Sequence, residues 1–277
     1  MRAIFRYPGP LWKLTSAVGY IGVVLSVIPW TILIVGTVML GVGRKTQTVF
    51  LRSWFSFVSW CHGLRYVVEG AEHFDPSQPS LVVSNHQGLY DIPAAYAALR
   101  GDLRMMAKAE LFRIPGFGHV MAHTEFIPVH RESAASSRGA AEALLKRLRS
   151  GLHVWVAPEG TRSETGVLGN FKRGSFAIAI QAGIPIQPVL VLDSRLACPK
   201  GSVLPRPRST IHVRVLPRIS VEGYTMERRA ELAQKVREIM LAEMFRAPTP
   251  RPEPDVYSSP LFPAGGDAPV MAEPRRI

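Results

Sequence analysis

This sequence of 277 residues contains little cysteine and little charge. Its two cysteines, Cys61 and Cys198, are too few and too far apart to form a disulfide framework or a thiolate metal site. Charged residues make up 19% of the chain, whereas hydrophobic residues make up 47%. The composition therefore favours reduced, buried thiols in a cytosol-facing domain, together with some contact with a membrane.

Several binding motifs are missing as well. The sequence contains neither a His-Glu-x-x-His run nor a Gly-x-x-x-x-Gly-Lys loop, and the glycines of residues 116–118 lack the third glycine of a dinucleotide fingerprint. A membrane metalloenzyme stays open as an alternative, because His119 and His123 are four positions apart and His130 follows them. On a helix, that spacing can place two imidazoles on one metal ion.

The basic charge is concentrated outside the C-terminal segment. The formal net charge is +12, and residues 247–277 contribute three arginines against four acidic residues, or −1, so residues 1–246 carry +13. Such an excess favours an anionic partner. Because no helix-turn-helix, zinc-finger or aromatic RNA-binding pattern is present, we expect anionic lipid headgroups and no nucleic acid.

A long apolar run lies near the N-terminus. Residues 14–43 are 30 positions without a formal charge, more than the roughly 20 residues that a spanning helix needs. Pro29 lies near the middle, so a bent or shallow hairpin that enters one leaflet is the favoured prediction, and a single crossing is the alternative. Basic residues on both sides leave the orientation open, and four of the five tryptophans fall in the first 60 residues, as interfacial anchoring predicts.

An α/β domain is predicted to follow. Apolar runs indicate strands at 81–83, 153–157, 186–192 and 211–215, with helices predicted at 50–61, after Asp91, before Arg149, at 176–182 and at 225–245. This alternation predicts a largely parallel or mixed sheet covered on both faces. The predicted organisation is a membrane-anchoring helical region at 1–64, a catalytic domain at 65–246, and a disordered tail with eight prolines at 247–277.

The run Asn-His-Gln-Gly-Leu-Tyr-Asp at residues 85–91 follows the first of these strands. His86 and Asp91 are five positions apart, and a strand–loop–helix corner can fold the carboxylate back onto the imidazole. An aspartate on one ring nitrogen fixes the tautomer and leaves the other nitrogen as a base. The alternative is a plain helix cap at Asp91 and an ordinary loop histidine.

A second polar run, Glu-Gly-Thr-Arg-Ser at residues 159–163, follows the second strand. Such strand ends collect ligand sites in α/β folds. Arg162 offers a planar fork suited to phosphate, and Gly160 lets the backbone approach a ligand closely. Lys172 adds a cation downstream, and Arg131 follows an apolar run at 126–129.

In this order the motifs resemble the 1-acyl-sn-glycerol-3-phosphate acyltransferase family, also called the lysophosphatidic acid acyltransferases. The four blocks of that family correspond to residues 85–91, 126–131, 159–162 and 184–189, and the resemblance covers about residues 65–220. Two positions depart from the family pattern: Glu125 replaces a usual glycine, and His130 stands where an acidic residue is common. The resemblance implies a glycerolphosphate-acyltransferase-like mixed sheet flanked by helices, behind an N-terminal hydrophobic membrane anchor.

The resemblance also implies a site. His86 and Asp91 would be catalytic, and Glu159 would orient its loop or arginine without reacting. The implied substrate-binding residues are Arg131, Glu159, Gly160, Thr161, Arg162, Lys108 and Lys172. No metal and no cofactor is expected besides the acyl donor, which would be acyl-CoA or acyl carrier protein.

The implied reaction is acyl transfer to the sn-2 hydroxyl of 1-acylglycerol-3-phosphate, which gives phosphatidic acid. The alternatives are transfer to another lysolipid, such as a lyso-ornithine lipid, and a non-catalytic membrane-binding module. We expect a membrane location, in a bacterial inner membrane with the catalytic domain facing the cytoplasm.

Overall fold

The structure, a computed structural model, describes residues 11–130, 134–199 and 201–246 of the chain. The side chains of residues 134–137 are not described either. Two predictions therefore lie outside the described residues: the substrate contact of Arg131 and the disordered tail at 247–277.

Among the described residues, seven strands form one sheet in the order β1-β7-β6-β2-β5-β3-β4. Neighbouring strands are parallel except for the antiparallel pair of β6 and β7, which confirms the predicted mixed sheet. The strands are β1 (Arg65–Glu69), β2 (Leu81–Ser84), β3 (Leu103–Lys108), β4 (Ile127–Val129), β5 (His153–Val156), β6 (Ile186–Leu192) and β7 (Thr210–Val215).

The three central strands determine where the site lies. β2 is flanked by β5 and β6, and all three run parallel, so their carboxyl ends meet at one edge of the sheet. Val83 pairs with Val156 on one side and with Pro188 on the other. All four residues of β2 and of β5 are buried, which is typical of a sheet covered on both faces. Polar residues that follow these strands are therefore brought together at one edge.

Helices cover both faces of the sheet. On one face, Phe55 and Tyr96 belong to a buried cluster with the strands, and their rings stack at 4.6 Å. On the other face, Leu144, Phe176 and Met240 belong to a second buried cluster. The helices of the domain are α3 (Asp91–Ala98), α4 (Phe117–His123), α5 (Ala134–Arg149), α6 (Gly174–Ala182), α7 (Ser194–Ala197) and α8 (Arg229–Phe245).

The N-terminal region is a pair of helices, α1 (Trp12–Met39) and α2 (Arg44–Cys61). The predicted hairpin within residues 14–43 is wrong, because α1 continues through Pro29 as one helix and the chain turns only after it, at residues 40–43. A proline removes one helical hydrogen bond but need not end the helix. By length and composition α1 can cross a membrane, with a mean hydropathy of 2.3 and 11% of its apolar window buried.

Helix α2 confirms the prediction of a helix at 50–61, and it packs against the sheet domain. Its inner face contributes the buried side chains Leu51, Phe55 and Val58 to the first cluster. Polar contacts add to this: Arg44 Nε lies 2.7 Å from Glu125 Oε2, and Arg52 donates to the carbonyl of Leu99 at 2.9 Å. Helix α2 therefore shares its core with the sheet.

Candidate active site

His86 and Asp91 form the hydrogen-bonded pair that the sequence predicts. His86 Nδ1 lies 2.6 Å from Asp91 Oδ2, and the carboxylate is fully buried while 19% of the histidine side chain is exposed. Trp155 on β5 meets the imidazole edge-on, with ring centroids 5.7 Å apart. Because Nδ1 is engaged by the carboxylate, Nε2 is the nitrogen left to act as a base.

Asp91 is fixed by four donors in addition to its helix. Its Oδ2 accepts the histidine contact and the backbone N–H groups of Gln87 at 2.7 Å and Gly88 at 3.0 Å. Its Oδ1 accepts the hydroxyl of Ser194, at the start of α7. The alternative of a plain helix cap at Asp91 is therefore wrong, because α3 begins at Asp91 and the two N–H groups that its carboxylate accepts belong to the preceding loop.

Glu159 ties the two motifs together. Its Oε1 accepts the backbone N–H of His86 at 2.9 Å, and its Oε2 accepts the backbone N–H of Gly169 at 2.8 Å. Burial raises the pKa of the Glu159 carboxyl, and the two N–H donors act against that shift. Both oxygens are occupied by backbone, which is the geometry of a residue that orients a loop.

Arg162 is half-buried on the same edge of the sheet. Its guanidinium makes no hydrogen bond or ion pair with any residue of the described ranges. Its positive charge lowers the pKa of the Cys198 thiol, but burial has the larger effect and raises that pKa to about 11. Cys198 is therefore a protonated thiol at neutral pH and not a nucleophile. Arg162 remains a cation able to receive an anion beside the catalytic pair.

The other predicted substrate residues differ in their position. Gly160 has φ +76°, and a Cβ there would meet the ammonium of Lys172 at 2.8 Å, so these two residues lie together. Thr161 and Lys172 are exposed. Lys108 lies at the end of β3, where its ammonium is 3.1 Å from Glu110 Oε1 and about half-exposed. No described contact joins Lys108 to the catalytic pair, so its role stays a prediction.

Glu125, which replaces a usual glycine of the family pattern, makes contacts that a glycine could not make. Its φ is +68°, a conformation that glycine adopts without strain and other residues adopt rarely. The side chain points to arginines on both flanking helices, with Arg44 Nε at 2.7 Å and Arg147 Nη1 at 3.6 Å. The substitution of the usual glycine therefore ties α2 and α5 to the domain.

The histidines of the metalloenzyme alternative lie in and after α4. His123 Nδ1 is 2.8 Å from the carbonyl oxygen of His119. Within the described residues, no group of three or more histidine, cysteine, aspartate or glutamate side chains is arranged to hold a metal ion.

Three contributors to the site were not predicted. Ser194 and Arg237 lie outside the sequence motifs, and Gln87 lies within the 85–91 run but was assigned no role. Ser194 bonds to Asp91, and Gln87 Nε2 donates to the carbonyl of Gly166 at 3.0 Å. Arg237 on α8 donates from Nε to the carbonyl of Gly169 at 2.8 Å. These contacts join residues that are far apart in the sequence, so no local pattern reveals them. The position of Ser194, two residues after the end of β6, was the one available clue.

Together these contacts form a continuous path from α8 to the base. Arg237 holds the carbonyl of Gly169, the N–H of Gly169 binds Glu159, and Glu159 binds the N–H of His86. The path reaches the histidine at its backbone N–H and does not contact the imidazole. The arrangement can deprotonate a hydroxyl presented to Nε2, next to a cation that can hold the anionic part of the same molecule.

Comparisons with known proteins show which family the chain is similar to. A family model described as Acyltransferase matches residues 65–192. The human 1-acyl-sn-glycerol-3-phosphate acyltransferase alpha is 36% identical over 208 residues, which are 74% of this chain and 72% of the human protein. The chloroplastic 1-acyl-sn-glycerol-3-phosphate acyltransferase LPAT1 of Arabidopsis thaliana is 31% identical over 160 residues, covering 57% of this chain and 44% of that protein.

The fold has a counterpart among solved structures. The crystal structure of the 1-acyl-sn-glycerophosphate (LPA) acyltransferase PlsC from Thermotoga maritima superposes with a TM-score of 0.71. The match covers 83% of this chain and 93% of that one, at 23% sequence identity. At that identity the likeness establishes the fold, including the mixed sheet flanked by helices.

Proposed function

Because the chain belongs to the acyltransferase family that includes the 1-acyl-sn-glycerol-3-phosphate acyltransferases, we propose that it acylates 1-acylglycerol-3-phosphate at the sn-2 hydroxyl and yields phosphatidic acid. The observation that carries the proposal is the 2.6 Å contact between His86 Nδ1 and the buried Asp91. Among the described residues no serine or cysteine side chain bonds to the imidazole, and the Ser194 hydroxyl bonds only to the Asp91 carboxylate. In this geometry the nucleophile is the hydroxyl of the acceptor itself.

The proton and the acyl group move in opposite directions. His86 Nε2 takes the proton of the sn-2 hydroxyl as its oxygen attacks the carbonyl carbon of the thioester. The buried Asp91 carboxylate stabilises the resulting imidazolium. When the carbon–sulfur bond breaks, the imidazolium returns the proton to the leaving thiolate, so the products are a diacyl lipid and a free thiol. General base assistance of this kind contributes about two to four orders of magnitude in rate.

Arg162 is the proposed grip on the phosphate of the acceptor. Its guanidinium has no partner among the described residues, it lies on the edge of the sheet that carries His86, and its planar fork matches phosphate oxygens. Holding the phosphate fixes the distance of the sn-2 hydroxyl from the base. Arg131 is proposed to assist from outside the described residues.

The acyl donor in this proposal is acyl-CoA or acyl carrier protein, and no other cofactor takes part. The enzyme is proposed to act at a bacterial inner membrane that contains anionic lipid, with the catalytic domain on the cytoplasmic side. The apolar helix α1 and the net charge of +12 support contact with a membrane that contains anionic lipid.

Replacing the base tests the proposal. We expect purified His86→Ala to lose about two to four orders of magnitude in acyl transfer to lysophosphatidic acid, with an unchanged melting temperature. His212→Ala, on β7, is the matched control because that histidine is not in contact with the catalytic pair. Near-normal turnover by His86→Ala would remove the mechanism.

A panel of acceptors distinguishes the alternatives. Wild-type protein is incubated with lysophosphatidic acid, lyso-ornithine lipid and lysophosphatidylethanolamine, each with one acyl thioester, and the products are identified by mass. The proposal requires the highest kcat/KM for lysophosphatidic acid. A preference for lyso-ornithine lipid would keep the chemistry and replace the acceptor.

A further inference from the structure

A cavity of about 390 Å³ opens at the end of the 159–163 run. The residues that line it are Ser163, Glu164, Arg195, Leu196, Pro199 and Arg206. The lining contains two guanidinium groups, one hydroxyl and one carboxylate, so the walls carry one net positive charge, and Arg206 also donates from Nη1 to the carbonyl of Leu196 at 3.2 Å. Its volume is in the range of small-ligand sites.

The first arginine is seated closely against the loop. Gly166 has φ +83°, and a Cβ at that residue would lie 2.4 Å from Arg195 Nε, so only glycine leaves room for the guanidinium there. Gln87, next to the catalytic histidine, donates to the carbonyl of Gly166 at 3.0 Å. Arg195 makes no hydrogen bond or ion pair with the described residues, so its donors are available to a ligand.

Both walls of the cavity are attached to the catalytic pair. Arg195 directly follows Ser194, whose hydroxyl bonds to Asp91 Oδ1. On the other wall, Ser163 donates its backbone N–H to the carbonyl of His86 at 2.7 Å. A group bound in the cavity therefore lies beside the reaction centre. Arg162, the proposed acceptor grip, does not line it.

We propose that this cavity, the Arg195–Arg206 pocket, binds a phosphate of the phosphopantetheine arm of the acyl donor. The inference rests on the proposed function, because acyl transfer needs two substrates at His86 and both carry phosphate. The acceptor phosphate is a monoester of nearly two negative charges. The phosphate that links pantetheine to a carrier protein is a diester of one charge, which matches the net charge of the lining, and guanidinium groups bind its oxygens in pairs.

Steady-state kinetics separate the two substrates. In Arg195→Gln and Arg206→Gln we expect the KM of the acyl donor to rise about ten- to hundredfold, the effect of losing one charge-assisted hydrogen bond. The KM of lysophosphatidic acid and kcat should stay within about twofold. Arg195→Lys keeps the charge but not the fork and should fall between wild type and Arg195→Gln. Arg229→Gln, exposed on α8, is the charge-matched control.

A rise in the KM of lysophosphatidic acid with an unchanged donor KM would assign the pocket to the acceptor and overturn the proposal. Unchanged values for both substrates, in variants that melt like the wild type, would overturn it as well.

Calorimetric titration with free CoA, which carries the same arm but no acyl group, separates the pocket from the reaction. Weaker CoA binding to Arg195→Gln than to wild type supports the pocket, even if the wild type transfers no acyl group and the proposed function fails. Equal CoA binding to both proteins, in the presence of wild-type acyl transfer, rejects the pocket and leaves the function intact.

Discussion

Asp91 combines two tasks in one buried carboxylate. One oxygen receives the imidazole and two backbone N–H groups, and the other receives the Ser194 hydroxyl. A charged carboxylate without water is stable only when such donors surround it. The same donors prevent rotation of the carboxylate, so the orientation of the His86 ring is fixed before substrate arrives.

Asp91→Asn removes the negative charge of the side chain but keeps its size and shape. Rotated so that its oxygen faces the backbone N–H groups, the amide keeps those contacts and donates to Ser194, but it no longer stabilises an imidazolium. We expect the variant to fold normally and to lose about three to four orders of magnitude in kcat, as in other histidine–aspartate pairs. The measurement is kcat beside a thermal melt. A kcat within a few-fold of wild type would show that the negative charge is not needed.

Glu159→Gln removes one of two acceptors from a residue that uses both. The amide nitrogen would face a backbone N–H, either that of His86 or that of Gly169, and one donor would be left unsatisfied. We expect a loss of about 1–3 kcal/mol in the free energy of unfolding. Chemical denaturation measures it. Glu222→Gln, exposed after β7, is the control, and equal stability of both variants would contradict the bridging role of Glu159.

Arg162→Ala tests the acceptor grip. Because the guanidinium is unpaired among the described residues, its removal should not destabilise the fold, and we expect the KM of lysophosphatidic acid to rise about ten- to hundredfold. The donor KM should stay unchanged. Arg138→Ala, exposed on α5, is the matched control. An unchanged acceptor KM would show that Arg162 does not hold the phosphate.

At the scale of secondary structure, hydrophobic pattern predicted the central strands and missed the outer ones. β2, β5, β6 and β7 are confirmed within about one residue, because apolar residues predominate in each of them and most of their residues are buried. β1 and β3 each contain two charged residues, and β4 has only three residues, so none of them shows so strong an apolar pattern. The edge of the sheet that carries His86 was predictable because it depends on the central strands alone.

The contacts that stiffen the site were beyond prediction for a related reason. Ser194 and Arg237 reach the motifs from positions that carry no motif of their own, and their contacts exist only after the sheet and α8 have packed together. Pro29 is a second example. Its position predicted an interruption of the apolar run, whereas α1 continues through it as one helix. Local sequence specifies the reacting groups here, and tertiary packing specifies what holds them.

Arg237→Gln tests the path from α8. Gln is too short to reach the carbonyls of Leu168 and Gly169, which Arg237 contacts at 3.2 and 2.8 Å. We expect kcat to fall about three- to tenfold with unchanged KM values, because Gly169 positions His86 through Glu159 and is not itself a proposed substrate contact. Lys235→Gln, exposed on the same helix, should show wild-type kinetics. Changes in stability alone, without a change in kcat of the folded protein, would leave Arg237 with a structural role only.

For the whole molecule, the exposed apolar surface is concentrated on α1. Leu25 and Ile28 are 70% and 67% exposed, although the helix packs with its small and polar residues against α2 and α4. Ser16, Gly19 and Ser26 are buried on that packed side. Helix α1 therefore packs small, polar and a few apolar residues such as Ile34 against the protein, and it presents most of its large aliphatic residues outward, unlike a helix on a protein in water.

Arginine substitutions on α1 test lipid contact. In Leu25→Arg and Ile28→Arg we expect vesicle binding to fall sharply, since an arginine in the bilayer centre costs about 2.5–3.5 kcal/mol on insertion scales. Flotation with vesicles of anionic and of neutral lipid measures it. Leu25→Ala is the control, and the anionic vesicles should bind wild type more tightly. Undiminished binding of both arginine variants would show that α1 does not enter lipid.

The contacts between His86 and Glu159, and between Gly169 and Arg237, join residues 73 and 68 positions apart. Their order along the chain has a consequence during synthesis. About 200 residues separate α1 from α8, so at ribosomal speed the apolar helix emerges roughly 10 to 40 seconds before the arginine that completes the path to the base. A nascent chain thus has time to reach a bilayer before Arg237 can form the contacts that lead to His86. The catalytic site is therefore completed after the apolar helix has had the opportunity to enter lipid.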